Sequence, residues 1–175
     1  METNNNLSKV MEYDKKADEI IANMCVGMMA LAAIPAHVNW TIAAGVMATG
    51  VAKIGKCYGF TLSSNDSWKL VKQIFLSTGF TFMAINLGTK FIAAMAETTG
   101  IGYLTGVVLD VGISAAMGTA IGGCAKEYFH REFVGQNKMS KSELKELFIA
   151  LYKEKKEEMK KEQEKQKEQK NSNQQ

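Results

Sequence analysis

Residues 102–123 read GYLTGVVLDVGISAAMGTAIGG. Small or polar side chains recur there at every fourth position: Gly102, Gly106, Asp110, Ser114, Gly118 and Gly122. A period near four is helical, and small residues at that spacing let two helix backbones approach closely, the usual contact between helices in membranes. On a straight helix an every-fourth row drifts by about 40° per step, so the row is an inclined ridge suited to a crossed neighbour. Asp110 is the one charge in the stretch. In lipid or core it needs a partner or a proton, and Lys90 or a Ser or Thr hydroxyl could supply the partner. An ion or proton path through Asp110 is the functional reading; a structural polar contact, or exposure on a soluble surface, is the plainer one. The stretch as a whole is read as a helix-packing ridge on a long helix ending near Phe133.

Outward from the ridge the composition stays helical. The chain has 175 residues, 46% hydrophobic and 22% charged, but these averages hide a segregation. Between Ile20 and Ala125 the only charges are Lys53, Lys56, Asp66, Lys69, Lys72, Lys90, Glu97 and Asp110, whereas about half the residues from Lys126 onward are charged. Alanine, methionine and leucine abound, β-branched alternation is rare, and Pro35 is the single proline. A first helix is expected from Ser8 to Ala33, a break at Pro35, and a second helix over 38–56. A third should start at Ser67 or Trp68, capped by Asp66 or Ser64, with Gly88 interrupting it before FIAAMAE. TTGIG at 98–102 is a break and VGQNK at 134–138 a loop. Ser140 with Glu143 fits a capping box for a last helix. There Leu144, Phe148, Leu151 and Tyr152 form an apolar stripe with Leu147 at its edge, a face for a partner helix. Beyond Tyr152 the stripe ends, so the helix should project as a charged rod or fray. The expected fold is all-α: two apolar helical hairpins packed together plus a charged C-terminal helix. Residues 1–10 form a flexible N-terminus, 11–135 the apolar helical domain, 140–170 the charged helix and 171–175 a disordered tail.

The apolar segments, about 20–36, 38–52, 73–89 and 101–125, raise the membrane question. A spanning helix needs about 20 apolar residues, and the first two fall short. Paired as hairpins with tips at 35–38 and 98–102, they place Lys9, Lys15, Lys16, Lys53, Lys56, Lys69, Lys72 and the basic tail on one side. The tips carry no Lys or Arg, which matches the positive-inside pattern for entry from the cytoplasm. Lys90 and Glu97 fit this less well. Trp40 and Trp68 serve as interfacial anchors on this reading and as core on the soluble one. The expectation is inner-membrane association, with membrane lipid as a partner and the charged termini facing the cytoplasm. A soluble helical bundle built from the same segments is the competing reading.

Motifs for chemistry are weak. The net charge of +3 is too small to argue for nucleic acid. Cys25, Cys57 and Cys124 lie apart in apolar surroundings and read as buried thiols of a reducing compartment. The polar, acidic N-terminal stretch is not a secretory signal peptide. Gly50-Val-Ala-Lys-Ile-Gly55-Lys56-Cys57 matches a phosphate-binding loop except at its last position. There Cys57 replaces the hydroxyl that would hold magnesium, and helix rather than strand precedes it. His37 reads as a turn residue beside Pro35, and His130 as a cation at a helix end. No nucleophile–base pair, paired carboxylates or metal spacing is evident. An enzyme is therefore not expected, nor a cofactor or metal.

YGFTLSSNDSWKLVKQIF, TGIGYLTGVVLDVGISAAMGTAIGGCAKEYF and SKSELKELFIALYKEKKEE together resemble the domain-of-unknown-function 697 family over about residues 11–158. The pattern is a Pro-broken first hairpin ending in Ile54 and Tyr58-Gly59, then a lysine-flanked helix. The break at Gly100-Ile101-Gly102 follows, then a small-residue helix closing in Tyr128-Phe129 and a Ser-x-x-Glu-Leu tail helix. That family is a bacterial hydrophobic helical domain often attached to the C-terminal side of Era/TrmE-like small GTPases. The resemblance implies membrane association and coupling to a GTPase, and no catalytic residues. These 175 residues hold no GTPase domain, so nucleotide-dependent control is expected to come from another chain or to be absent. The expected function is a non-enzymatic membrane-associated helical protein that binds, or is regulated by, a partner such as a small GTPase. A soluble interaction module and an oligomeric membrane pore are the alternatives, which leaves a homo-oligomer open.

Overall fold

The computed structural model describes residues 2–31, 36–78 and 111–172. The described residues form α1 (Glu2–Leu31), α2 (Ala36–Cys57), α3 (Ser64–Thr78), α4 (Val111–Phe133) and α5 (Lys141–Ser172), with no strand among them. The fold is all-α. Helix α4 is the hub: it packs along α1 and α5 and touches α2 and α3. Pro35, Lys90, Glu97, the Gly88 and TTGIG breaks, and Gly102, Gly106 and Asp110 of the ridge lie outside the described residues.

Each described helix end has a local cause. Gly59 and Gly135 adopt φ of 88° and 74°, a left-handed conformation that costs glycine little. At the end of α2, Phe60 N–H donates to Gly55 C=O at 2.9 Å and Gly59 N–H to Lys56 C=O at 3.1 Å. At the end of α4, Gln136 N–H donates to Arg131 C=O at 2.8 Å and Gly135 N–H to Glu132 C=O at 3.4 Å. Both are the paired closing bonds of a Schellman cap. The start of α5 is the reciprocal box expected from its sequence. Ser140 N–H donates to Glu143 Oε2 at 2.8 Å and Glu143 N–H to Ser140 Oγ at 3.2 Å.

Three boundaries correct the sequence reading. Helix α1 begins at Glu2, inside the stretch expected to be a flexible arm, so that stretch is helical. Helix α3 begins at Ser64 rather than Ser67. Its cap is Ser63, whose Oγ accepts the Asp66 N–H at 3.1 Å, and Asp66 sits within the first turn, where its charge suits the helix dipole. His37 lies in the first turn of α2 rather than in a turn before it. Ser172 closes α5, and 173–175 lie outside the described residues.

The core runs the length of the bundle. Phe75, Phe148, Tyr152, Met28, Met47, Ile54 and Met117 are completely buried. Removing one such side chain from water contributes about 1.5–3 kcal/mol. Phe148 stacks on Tyr152 one turn away and meets Phe75 of α3, with ring centroids 6.1 Å apart in each pair. Trp68 is half-buried against this core, the second of the two roles expected for it.

The path of α5 overturns the one-sided arrangement of lysines. Leu144 C=O lies 3.7 Å from Cys124 Sγ of α4, Leu151 covers Gly123, and Met159 buries with Cys25 and Ala115. Helix α5 therefore runs antiparallel to α4, and Lys156 and Lys160 arrive beside Gly112 and Ile113 at the start of α4. The basic tail lies along the apolar helices instead of leaving from the end that carries Lys53 and Lys56. Its apolar stripe also continues past Tyr152 to Met159, so the helix lies against the bundle that far; the described residues of α5 after Met159 are exposed, the charged rod expected from the sequence. Among the described residues no helix is long and apolar enough to cross a membrane, so the transmembrane reading of these helices is not supported.

Candidate functional site

The ridge of α4 meets α1. A Cβ placed on Gly118 would stand 3.2 Å from Met24 O and 3.3 Å from Cys25 Cα. One placed on Gly122 would stand 2.8 Å from Ile21 Cγ1. Glycine at both places lets the two helices touch almost backbone to backbone. Ser114, next in the row, is completely buried, and its hydroxyl has no hydrogen-bond partner among the described residues. Gly102, Gly106 and Asp110 lie outside the described residues.

The same row continues up α4 as Lys126 and His130, two more steps of four. Opposite them on α1 stand Asp18 and Asp14, also four apart. Lys126 Nζ reaches Asp18 Oδ1 at 2.6 Å, and His130 Nδ1 lies 3.0 Å from Asp14 Oδ1. Asp14 also accepts a short hydrogen bond from the Tyr58 hydroxyl, just beyond α2. One carboxylate thus ties three helices at one end of the bundle. Burial pushes the Asp14 carboxyl up, but the hydrogen bonds from Tyr58 and His130 and the neighbouring positive charge outweigh it and hold it low. Burial, then the Asp14 carboxylate, pushes the Tyr58 phenol well above its ordinary range. Tyr13 and Phe133 pack edge-on beside this node at 5.3 Å.

This node is what sequence reasoning missed. Two oppositely charged pairs with equal spacing, 14/18 and 126/130, were visible. Which helix faces which is a tertiary fact that one sequence does not carry. His130 does sit in the last turn of α4, as expected, and its ring bonds to Asp14 of α1.

The stripe of α5 has its place filled from within. Leu144, Phe148 and Tyr152 are completely buried and Leu151 half-buried, all against this chain's own helices. Arg131 of α4 clamps the start of α5, donating to Glu143 Oε1 and to Glu127 Oε1, each at 2.7 Å. The Arg131 guanidinium, then the Ser140 groups of the cap, pull the Glu143 carboxyl down to about 2.

The phosphate-loop lookalike is continuous helix. Met24 lies across Gly50, and Gly55 faces Leu62 and the Phe129 ring, so both glycines serve packing. Cys25 and Cys124 are buried thiols as expected, while Cys57 is half-buried. Burial, and secondarily the nearby Glu127 carboxylate, pushes the Cys124 thiol up to about 12. No group of three or more metal-ligating side chains occurs among the described residues.

Fold and site together define a helical-bundle domain organised on a glycine-lined hub helix with a polar knot at one end. A family model described as Domain of unknown function (DUF697) matches residues 6–157. The chain belongs to that family. No curated protein and no solved structure gives a match.

Proposed function

We propose that this chain is a non-enzymatic helical module that works at a membrane surface by binding a protein partner, with a small GTPase as the partner class suggested by the family resemblance. What supports the partner half is a set of exposed apolar residues at one end of the bundle. Met11 lies one turn before Asp14 on α1, and Phe133 and Val134 close α4 just after His130. Their side chains are 66%, 38% and 40% exposed, although they flank the most tightly cross-linked end of the bundle. Exposed apolar side chains on a rigid frame are the usual composition of a docking patch. The frame is rigid because Asp14 holds α1, α2 and α4 in register. Association with a membrane would be peripheral.

The test has two arms. Cell fractionation should recover the protein with membranes and release it by salt or mild detergent. Full recovery as a monodisperse soluble species overturns the membrane half and leaves the soluble interaction module. Pull-down with purified small GTPases, loaded with GTP analogue or GDP, should show one that binds and is lost on Phe133→Asp. Binding that survives Phe133→Asp together with Met11→Asp removes this patch as the partner surface.

A further inference from the structure

A groove of about 540 Å³ runs between α1 and α2, away from the seam with α4. That volume lies in the range of about 300–1,000 Å³ usual for small-molecule sites. Its walls are apolar, chiefly Ile20, Met24, Ile42 and Val46. Asn23 and Thr49 are on the rim, Lys53 stands at one end, and no carboxylate lines it. The floor is formed because Gly50 lets Met24 lie flat across α2. Gly45 opens the upper wall, since a Cβ there would meet nothing within 4 Å. From Ile42 to Lys53 the helix rises about 16 Å, so the groove is long and narrow rather than round.

The charge is as one-sided as the shape. Lys53 makes no ion pair among the described residues. Lys56 follows it by one turn on α2. Lys16, one turn before Ile20 on α1, is already paired with Glu12 at 2.6 Å, so Lys53 is the cation that faces the groove. An apolar trough that ends in the Lys53 ammonium complements a ligand with an apolar tail and a single anionic head. We propose that the α1–α2 groove binds a long-chain carboxylate, its alkyl chain lying along Val46 and Met24 and its head at Lys53. This goes beyond the partner-binding reading and does not depend on the surface at Met11 and Phe133.

The purified full-length chain would be titrated calorimetrically with monomeric dodecanoate, with dodecanol as the uncharged control. Dodecanoate should bind one to one and more tightly than dodecanol. Gly45→Leu fills the trough from a position with open space around it, and should weaken binding by at least about tenfold, the loss of 1.4 kcal/mol or more. Lys53→Met should weaken it roughly threefold, the worth of one exposed charge pair. Circular dichroism melts of both variants confirm the fold independently of binding. No binding by the wild-type chain overturns the proposal, as does a folded Gly45→Leu that binds like wild type. Equal affinity for dodecanol overturns the role of Lys53. Sedimentation that shows a dimer lost in Gly45→Leu assigns the groove to a second copy of the chain and also overturns it.

Discussion

The seam between α1 and α4 is two interfaces in one. Below Asp18 it is made of glycine facing Met24, Cys25 and Ile21; above, it is made of Asp18 with Lys126 and Asp14 with His130. Both halves follow the same every-fourth row on α4. The lower half gains from close backbone approach and forgives no added volume. The upper half is bridged by polar side chains, with Asp14 fixed by both His130 and Tyr58 and Asp18 by Lys126. Identical spacing therefore yields one stretch held by close packing and another held by hydrogen bonds and ion pairs, and the side chains that fill the row separate them.

Substitutions can break this contrast in graded steps. Gly118→Val should be the most damaging. Its new atoms meet backbone at Met24 and Cys25, which cannot step aside, so urea unfolding should show a loss of about 3 kcal/mol. Tyr58→Phe removes a hydroxyl from the half-buried Asp14 carboxylate and should cost about 1.5 kcal/mol in the same measurement. Gly122→Ala adds one carbon against Ile21, a β-branched side chain that turns little within a helix, so the helices must part slightly and about 1.5 kcal/mol is expected. A smaller effect for Gly118→Val than for Gly122→Ala would refute backbone contact as the reason for the lower half. Lys126→Met should be the mildest, below about 0.5 kcal/mol, because its partner Asp18 is 60% exposed to solvent.

Acid provides a sharper probe of the α4–α5 junction. The Glu143 carboxyl titrates at about 2 in the folded chain against an ordinary 4.5. A depressed carboxylate stabilises the fold above its unfolded value and loses that contribution as pH falls through the folded one. Stability should therefore decline between about pH 4.5 and 2. Glu143→Gln should flatten that part of the profile, read by thermal melts across pH. An unchanged profile would mean that the clamp with Arg131 and Ser140 contributes nothing.

Much of this frame was readable from residues alone, and the reason is local. The Ser140–Glu143 box, the loop through Gly135 and the helical nature of 50–57 depend on neighbours within a turn or two. So does the ridge at Ser114, Gly118 and Gly122, whose spacing announces a close contact without naming the other side. What could not be read is pairing. Met159 lies beyond the obvious stripe of α5, and only its meeting with Cys25 and Ala115 shows that the helix folds back. That single return carries part of the basic tail to the far end of the bundle, against the inferred one-sided charge. The Asp14–Tyr58–His130 knot was hidden for the same reason: its members come from three separate segments.

That separation has a consequence for how the chain is made. Asp14 and His130 are 116 positions apart, and Asp18 and Lys126 108. At about 5–20 residues per second of synthesis, α1 leaves the ribosome roughly 5–20 s before the helix that covers its seam face exists. During that interval α2 can pair with α1 but leaves Ile21 and Cys25 uncovered. The glycine row that makes the finished seam so tight thus imposes a waiting period on the nascent chain.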